Sequence, residues 1–594
     1  MDLFGTGSQI LESARAGLRC AADLPKLLPI GGSSPGVLVR QWARKQPGVL
    51  ALAYEAERYT WQEVSDWANR YAAWFNDHGI GRGDVVALIM DNRPDFVFII
   101  SGLSKIGAVA SLINTNLTGT ALTHAINICR PKAVLTGSEH VEEVSEVLAD
   151  LESIDVDRDV YVQLESGAVA PPRFHAINDA VEAASIAERG RDYVPAPNDL
   201  YCYIYTSGTT GLPKAAIITN RRMLAANLTF GHLMHRSGPG DVIYVALPLY
   251  HSSAMFLGWG AALATGCAVA LRRKFSVSGF WKDVREYQAT SFLYIGELCR
   301  YLLNAEPTDG ERDHRIRVAT GNGMAPAIWE EFQERFAIPV IREFYGATEG
   351  IAPIVNLSGK PGMVGKMTFG QSLLRCDSAT GEPIRNADGF CDSVGTGGVG
   401  LLVARINPMV KFDGYVDREA SDKKVLRDVF KRGDRYFNSG DLLELHPGRW
   451  LSFADRVGDT FRWKGENVST AEVSGILGKA AGVVEANVYG VRIPHTDGRA
   501  GMAALHVEPG FDLDDFAAFV EDRLPGYQQP RFVRLLRDEM RITGTFKHQK
   551  VDYRDEGFDP GRVSDPLYQW VGGRFVAVDA ERYARIESGE EPVT

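Results

Sequence analysis

Between Tyr205 and Lys214 the chain reads "YTSGTTGLPK", and the fold turns on how that stretch is read. Ten residues hold one Ser, three Thr, two Gly and a single Lys, with an apolar run before, "LYCYI", and another after, "AAII". Gly208 and Gly211 permit positive φ and let a ligand approach the backbone. Amides exposed in such a turn form an anion-binding concavity, to which Ser207, Thr209 and Thr210 add hydroxyls and Lys214 a cation. These are the parts of a triphosphate cradle, and equally those of a polar hairpin. The Walker loop is excluded, because it needs Gly-Lys-Ser/Thr and an immediate helix, whereas Lys214 leads into "AAIIT", a strand pattern.

Outward from this stretch, apolar strands alternate with helical patterns. "DVVALIM" is followed by "NRPDFVFIISGLSKIG", with Pro94 early in the helix, and then by "AVASLIN". "TSFLYIG", "RIRVATGNG" and "IPVIREFYG" repeat the strand signal, each ending in Gly or a polar turn. Such alternation predicts an α/β fold with mostly parallel sheets covered by helices, whose ligands gather beyond the carboxyl ends of the strands. Near "GGVGLLVARINPMVKFDGYVD" glycine-punctuated segments predict a β-rich subdomain. After "WLSFADRVGDTFRWKGEN" the pattern becomes a compact α+β unit. The expected organisation is an amphipathic segment over 1–30, a large domain over 31–455 and a small C-terminal domain over 456–594. The junction is expected at Asp455–Asp459, and a loop-rich end from Asp552 is expected to wrap the small domain.

Composition narrows the function. The 594 residues are 45% hydrophobic and 23% charged, with a net charge of −11, so nothing global recruits nucleic acid. Seven scattered cysteines without a CxxC pair argue against a disulfide framework or structural zinc and for a reducing compartment. From Val242 to Leu271 no Asp, Glu, Lys or Arg occurs, enough to span a bilayer. Pro248, His251, Ser252, Ser253 and Gly266 punctuate it, and strand, buried helix and strand is the preferred reading. Near the start, Ile10, Leu11, Ala14 and Leu18 recur at helical spacing, predicting an amphipathic helix stopped near Pro25 that docks on the protein's own body or touches a membrane surface. A cytoplasmic protein with peripheral contact at the inner face of the membrane is the expectation.

The decapeptide resembles the AMP-binding signature of the adenylate-forming superfamily, and further motifs follow in the family's order over nearly the whole chain. The resemblance implies that Tyr205, Thr206, Ser207, Gly208, Thr209, Thr210, Gly211 and Lys214 wrap the phosphates of ATP. "ALPLYHSSA" implies that His251 borders the acyl carboxylate, and "GNGMAP" that Gly321, Asn322 and Gly323 lie along the adenine and acyl group. "FYGATEG" implies Tyr345 against adenine, Gly346 and Ala347 in the nucleotide loop, Thr348 on the α-phosphate, and Glu349, with Thr209, on Mg²⁺. "NSGD" gives Asp441 for the ribose hydroxyls, and "ADRVGDTFRWKGEN" gives Arg456 beside the ribose and Lys464–Gly465 near the thiol of CoA. In "ITGTFKHQK" Lys547 holds the catalytic register, although Phe546 stands where the family has Gly, and Lys550 is a weaker candidate. The hinge is expected at Gly458 or Asp459.

"GDTFRWKGENVST" and "DPLYQWVGGRFVAVD" resemble the very-long-chain acyl-CoA synthetase and fatty acid transport protein branch. That resemblance implies an ATP-dependent fatty acid–CoA ligase using ATP, Mg²⁺ and CoA. It would form an acyl-adenylate, then the thioester, and release pyrophosphate and AMP. The alternatives are a ligase for sterol or bile-acid-like carboxylates, an acyl-adenylate donor to a separate carrier protein, and a fatty acid carrier without catalysis. The set Glu349, Asp441, Arg456 and Lys547 argues against the last. "TSFLYIGELCRYLLN" either lines an apolar tunnel or is a strand and a buried helix.

Overall fold

The computed structural model describes residues 7–27, 32–190, 193–206, 212–351, 353–377, 380–407, 410–457, 459–463, 466–494, 496, 498–540 and 550–593. Its contacts divide the chain into two compact units. One is Met1–Pro361 with Lys411–Lys423, the other Gly362–Val410 with Lys424–Thr594.

The first unit holds two sheets. In the seven-stranded sheet Val85–Ile89, Val109–Leu112, Ala133–Gly137, Val160–Gln163 and Leu200–Thr206 run parallel, because each is reached through a crossover. Pro94 opens the helix Pro94–Ile106, and Gly107 closes it at φ 74 in the left-handed region. The edge is a hairpin: Leu200–Thr206 pairs antiparallel with Lys214–Thr219, and Thr206 stands opposite Lys214. The decapeptide therefore begins at the end of one strand and ends at the start of the next.

The eight-stranded sheet contains a parallel block of Val242–Val245, Ala268–Leu271, Ser291–Ile295, Val318–Asn322 and Ile341–Tyr345. Their carboxyl ends deliver "GELC", "GNGMAP" and "GATEG" to one edge. The uncharged stretch 242–271 is strand, helix and strand. Its helical part winds as a π-helix, Ser253–Gly260, before the α-helix Ala261–Thr265. Among the described residues no helix is long and apolar enough to cross a membrane. The N-terminal helix Gly7–Asp23 stops ahead of Pro25 and docks on its own unit, where Asp23 Oδ2 lies 3.1 Å from His232 Nε2. Leu18, from the expected apolar stripe, is 72% exposed.

Among the described residues of the second unit two hydrophobic cores form. Strands between Gly365 and Arg456 enclose one, with Leu374, Leu401, Val403 and Leu442 buried and Val457 packed against it. The other begins at Phe461 and runs to Val593 under the five-stranded sheet that includes Val483–Val491 and Ala500–Val507. The residues expected to form the junction, 455–459, fall where one core gives way to the next. The expectation of a loop-rich end from Asp552 is corrected. Leu567–Val571 and Arg574–Ala577 complete the sheet as a hairpin, Trp570 and Phe575 are core residues, and Ala580–Ser588 is a helix. The Asp, Gly and Pro between these elements had masked two short strands.

Candidate functional site

In the first unit the structure brings three motifs together. Glu349 is buried at 6% exposure just beyond the strand Ile341–Tyr345. Arg222, on the helix Asn220–Leu228, reaches beneath it: Nη1 donates to the Glu349 carbonyl at 2.9 Å, and Nη2 to the carbonyls of Ala347, at 3.2 Å, and Thr348. One guanidinium thus fixes three consecutive peptides of "GATEG", a use of its planar fork that lysine lacks. Burial lowers the Arg222 pKa, opposed by the carboxylates of Asp413 and Glu349. Ser252 Oγ lies 3.0 Å from Thr348 Oγ1, tying "ALPLYHSSA" to "GATEG". Next to Ser252, half-buried His251 packs its ring 4.7 Å from that of Tyr250.

The "GNGMAP" turn is held just as closely. Gly321 allows its strand to touch the next one, since a Cβ there would come within 2.1 Å of the Tyr294 carbonyl. Gly323 takes φ +78, and Met324 N donates to Glu343 Oε1 at 2.7 Å. Tyr294 Oη donates to the same oxygen at 3.2 Å. Burial pushes the Glu343 carboxyl up to about 7, only partly offset by these two donors. Asn322 is half-buried and Gly323 exposed, while Tyr345 is half-buried at the end of its strand. Glu343 and Arg222 are the residues that sequence reasoning missed. Glu343 sits in plain sight beside "FYGATEG".

Tyr205 faces the other way. It is 5% exposed, its hydroxyl donates to the Ala125 carbonyl at 2.5 Å, and Ser111 Oγ lies 2.7 Å from it. Its side chain belongs to the sheet core. Lys214 Nζ stands 5.9 Å from the centroid of the Tyr415 ring. Ser207, Gly208, Thr209, Thr210, Gly211, Lys464, Gly465, Gly458 and Lys547 lie outside the described residues.

In the second unit Asp441 and Arg456 are cross-strand partners, with Nε 3.3 Å from Oδ1. Asp441 is buried at 6% exposure, and the Arg456 side chain is 55% exposed. The two oxygens of a carboxylate give acceptor capacity for two vicinal hydroxyls.

A family model described as "AMP-binding enzyme" matches residues 39–405. The chain belongs to the AMP-binding enzyme family. Among its relatives, the long-chain fatty acid transport protein 6 of Mus musculus is 40% identical, over 92% of this chain and 89% of the relative. The medium/long-chain-fatty-acid–CoA ligase FadD6 of Mycobacterium tuberculosis is 36% identical over 100% of this chain and 99% of its own length. The anthranilate CoA ligase AuaEII, solved with anthranoyl-AMP, shares the fold at a TM-score of 0.74 and 19% identity, over 88% of this chain and 97% of its own.

In this AMP-binding enzyme the Lys550 ammonium is engaged by side chains of its own unit. Its Nζ donates to Thr470 Oγ1 at 2.6 Å and lies 3.8 Å from Asp459 Oδ2. Thr470 N in turn donates to Asp455 Oδ2 at 2.8 Å, so the expected hinge carboxylates are both engaged. Among the described residues one group has metal-ligand geometry, Asp91, Glu139 and His140. Arg93 pairs with Glu139 at 3.2 Å and Lys274 stands 3.7 Å from Asp91, which makes it an ion-pair network already neutralised by cations.

Proposed function

We propose that the protein is an ATP-dependent fatty acid–CoA ligase acting on long or very long chains. The observation that carries the reading is the Arg222-braced "GATEG" segment joined to "ALPLYHSSA" through Ser252 and Thr348. This segment holds a buried carboxylate, hydroxyls and an aromatic at the strand ends where a nucleotide binds in such folds. The relatives' names supply the acyl class.

A fatty carboxylate attacks the α-phosphorus of ATP, forming the acyl-phosphate bond as the bond to the pyrophosphate oxygen breaks. The difficulty is repulsion between anions: at 4 Å and an effective dielectric near 20, each like-charge pair costs about 4 kcal/mol. The amides and hydroxyls of residues 206–211 and the ammonium of Lys547 counter that repulsion, and Thr348 takes the α-phosphate. His251 borders the carboxylate. Asp441 accepts the ribose hydroxyls, with Arg456 alongside, and Tyr345 offers a face to adenine. Magnesium arrives with ATP. Glu349 and Thr209 are hard oxygen donors of the kind it takes, and the ion neutralises phosphate charge.

In the second step the thiolate of CoA attacks the acyl carbon and AMP leaves. We place the switch between steps at residues 455–459, a position supported by the change of hydrophobic core between Val457 and Phe461. The protein is cytoplasmic in this reading, and the helix Gly7–Asp23 is its candidate for peripheral membrane contact.

The test is a panel of C8 to C26 fatty acids and one sterol acid, each incubated with Mg·ATP with and without CoA. Acid-dependent pyrophosphate release together with an acyl-CoA thioester supports the ligase and ranks its substrates. Adenylate that accumulates despite CoA points to a carrier protein. Absence of turnover with every acid removes the enzyme reading.

A further inference from the structure

The strand Lys214–Thr219 ends the seven-stranded sheet, and an edge strand presents N–H and C=O groups that its own sheet does not pair. A distant piece of chain takes them. Lys411–Lys423 lies in sequence between two stretches of the second unit and packs on the first. Ile217 N donates to the Gly414 carbonyl at 2.9 Å and Val416 N to the Ala215 carbonyl at 3.0 Å, which sets Tyr415 opposite Ala216 in antiparallel register. This strap is itself fixed. Gly414 turns it at φ +79, Ser421 Oγ accepts from Tyr415 N at 2.8 Å and donates to the Asp417 carbonyl at 2.8 Å, and the helix Arg418–Lys423 closes it.

The side chains of the strap reach two parts of the candidate site. Tyr415 is buried with Ala216 and Ala420, and its ring comes within cation–π range of Lys214, whose Nζ stands 5.9 Å from the centroid. Val416 packs against the core that holds Tyr205 and Ala215. The Asp413 side chain, 14% exposed, accepts from Thr219 Oγ1 at 3.1 Å and pairs with Arg221 at 3.5 Å. Thr219 caps the helix Asn220–Leu228 by accepting from Arg222 N at 3.4 Å, and Arg222 is the residue that braces 347–349. Backbone pairing alone would cover an edge strand. The carboxylate and the ring add contacts to the helix cap behind "GATEG" and to the cation that ends "YTSGTTGLPK".

We propose that the strap 411–423 positions the protein's grip on the triphosphate of ATP, with Asp413 and Tyr415 as the positioning residues. Asp413 fixes the start of the helix that aims Arg222, and Tyr415 fixes Lys214. The proposal rests on the ATP-dependent reading above, and the test separates the two.

Binding of Mg·ATP and of AMP to the full chain is measured by calorimetry, on the native protein and on Asp413→Asn/Tyr415→Leu. Unfolding temperatures serve as the check on folding. AMP lacks the two outer phosphates, so it controls for the rest of the site. Loss of a charge-assisted contact and a cation–π contact predicts a Kd for ATP raised about tenfold, against less than about threefold for AMP. The KM for ATP in pyrophosphate exchange should rise by the same factor while that for the fatty acid holds. Asp413→Glu/Tyr415→Phe keeps the anion and the ring and should recover most of the affinity. A merely structural role would lower the unfolding temperature and leave the ratio of the two affinities at its native value; that result in a folded variant overturns the proposal. A native protein that binds neither nucleotide overturns the ATP reading and the strap's role with it, whereas ATP bound as tightly after both substitutions overturns the strap alone.

Discussion

Replacing Arg222 by alanine removes the single side chain that three consecutive carbonyls share. Its bonds to Glu349 O and Ala347 O measure 2.9 and 3.2 Å, and a third goes to Thr348 O. A hydrogen bond from a charged donor contributes about 1.5–3 kcal/mol net, and a carbonyl left without a partner costs about as much. Arg222 is half-buried, so water can take up part of the vacated space, and a loss of about 3 kcal/mol in holding residues 347–349 is expected. If that loss falls on the adenylation transition state, the rate drops about 150-fold. Acid-dependent exchange of pyrophosphate into ATP reads this step without CoA. Arg222→Lys keeps the charge but not the fork, and should recover only part of the rate. An Arg222→Ala protein that folds and exchanges within about threefold of the native rate would refute the bracing role.

Three further outcomes are expected. Glu343 is held at about 7 against an ordinary 4.5, so the folded protein keeps a proton that the unfolded chain has lost. Its stabilisation is complete below 4.5 and is lost as pH rises to about 7, about 3 kcal/mol in all. Glu343→Gln should flatten that part of the stability–pH curve, and an identical slope in denaturant melts of both proteins would count against it. Gly321→Ala forces a methyl against the Tyr294 carbonyl and should cost about 1–3 kcal/mol, seen as a lower melting temperature; an unchanged one would mean the strands separate freely. Lys547→Ala should reduce adenylation more than about a hundredfold yet leave thioester formation from synthetic acyl-adenylate, while Lys550→Ala stays within about tenfold. The reverse order would reassign the catalytic lysine.

Much of this was legible in the sequence because the informative residues sit where strands stop. "GNGMAP", "FYGATEG" and "ALPLYHSSA" each follow an apolar run of strand length, and the structure puts them at strand ends in one sheet. What stayed hidden depends on contacts across the chain. Arg222 belongs to "NRRMLAANL", where two adjacent arginines read as a solvated helix face, and only folding brings one under residues 347–349. Glu343 looks like any polar residue near a strand end. Its burial comes from Tyr294 and the turn at Met324, both distant in sequence. Tyr205 opens the phosphate motif yet points into the sheet, because strand alternation outranks membership of a motif. The π-wound turns at 229–235 and 253–260 leave no periodic trace in sequences that apolar.

The most direct test follows the oxygen. A fatty acid labelled with ¹⁸O in its carboxylate is turned over with Mg·ATP and CoA, and the nucleotide product is weighed by mass spectrometry. Attack on the α-phosphorus followed by thiolysis at the acyl carbon leaves one carboxylate oxygen on phosphorus, so AMP carrying a single ¹⁸O is predicted. Unlabelled AMP, or ADP with the label in released phosphate, would contradict an acyl-adenylate route.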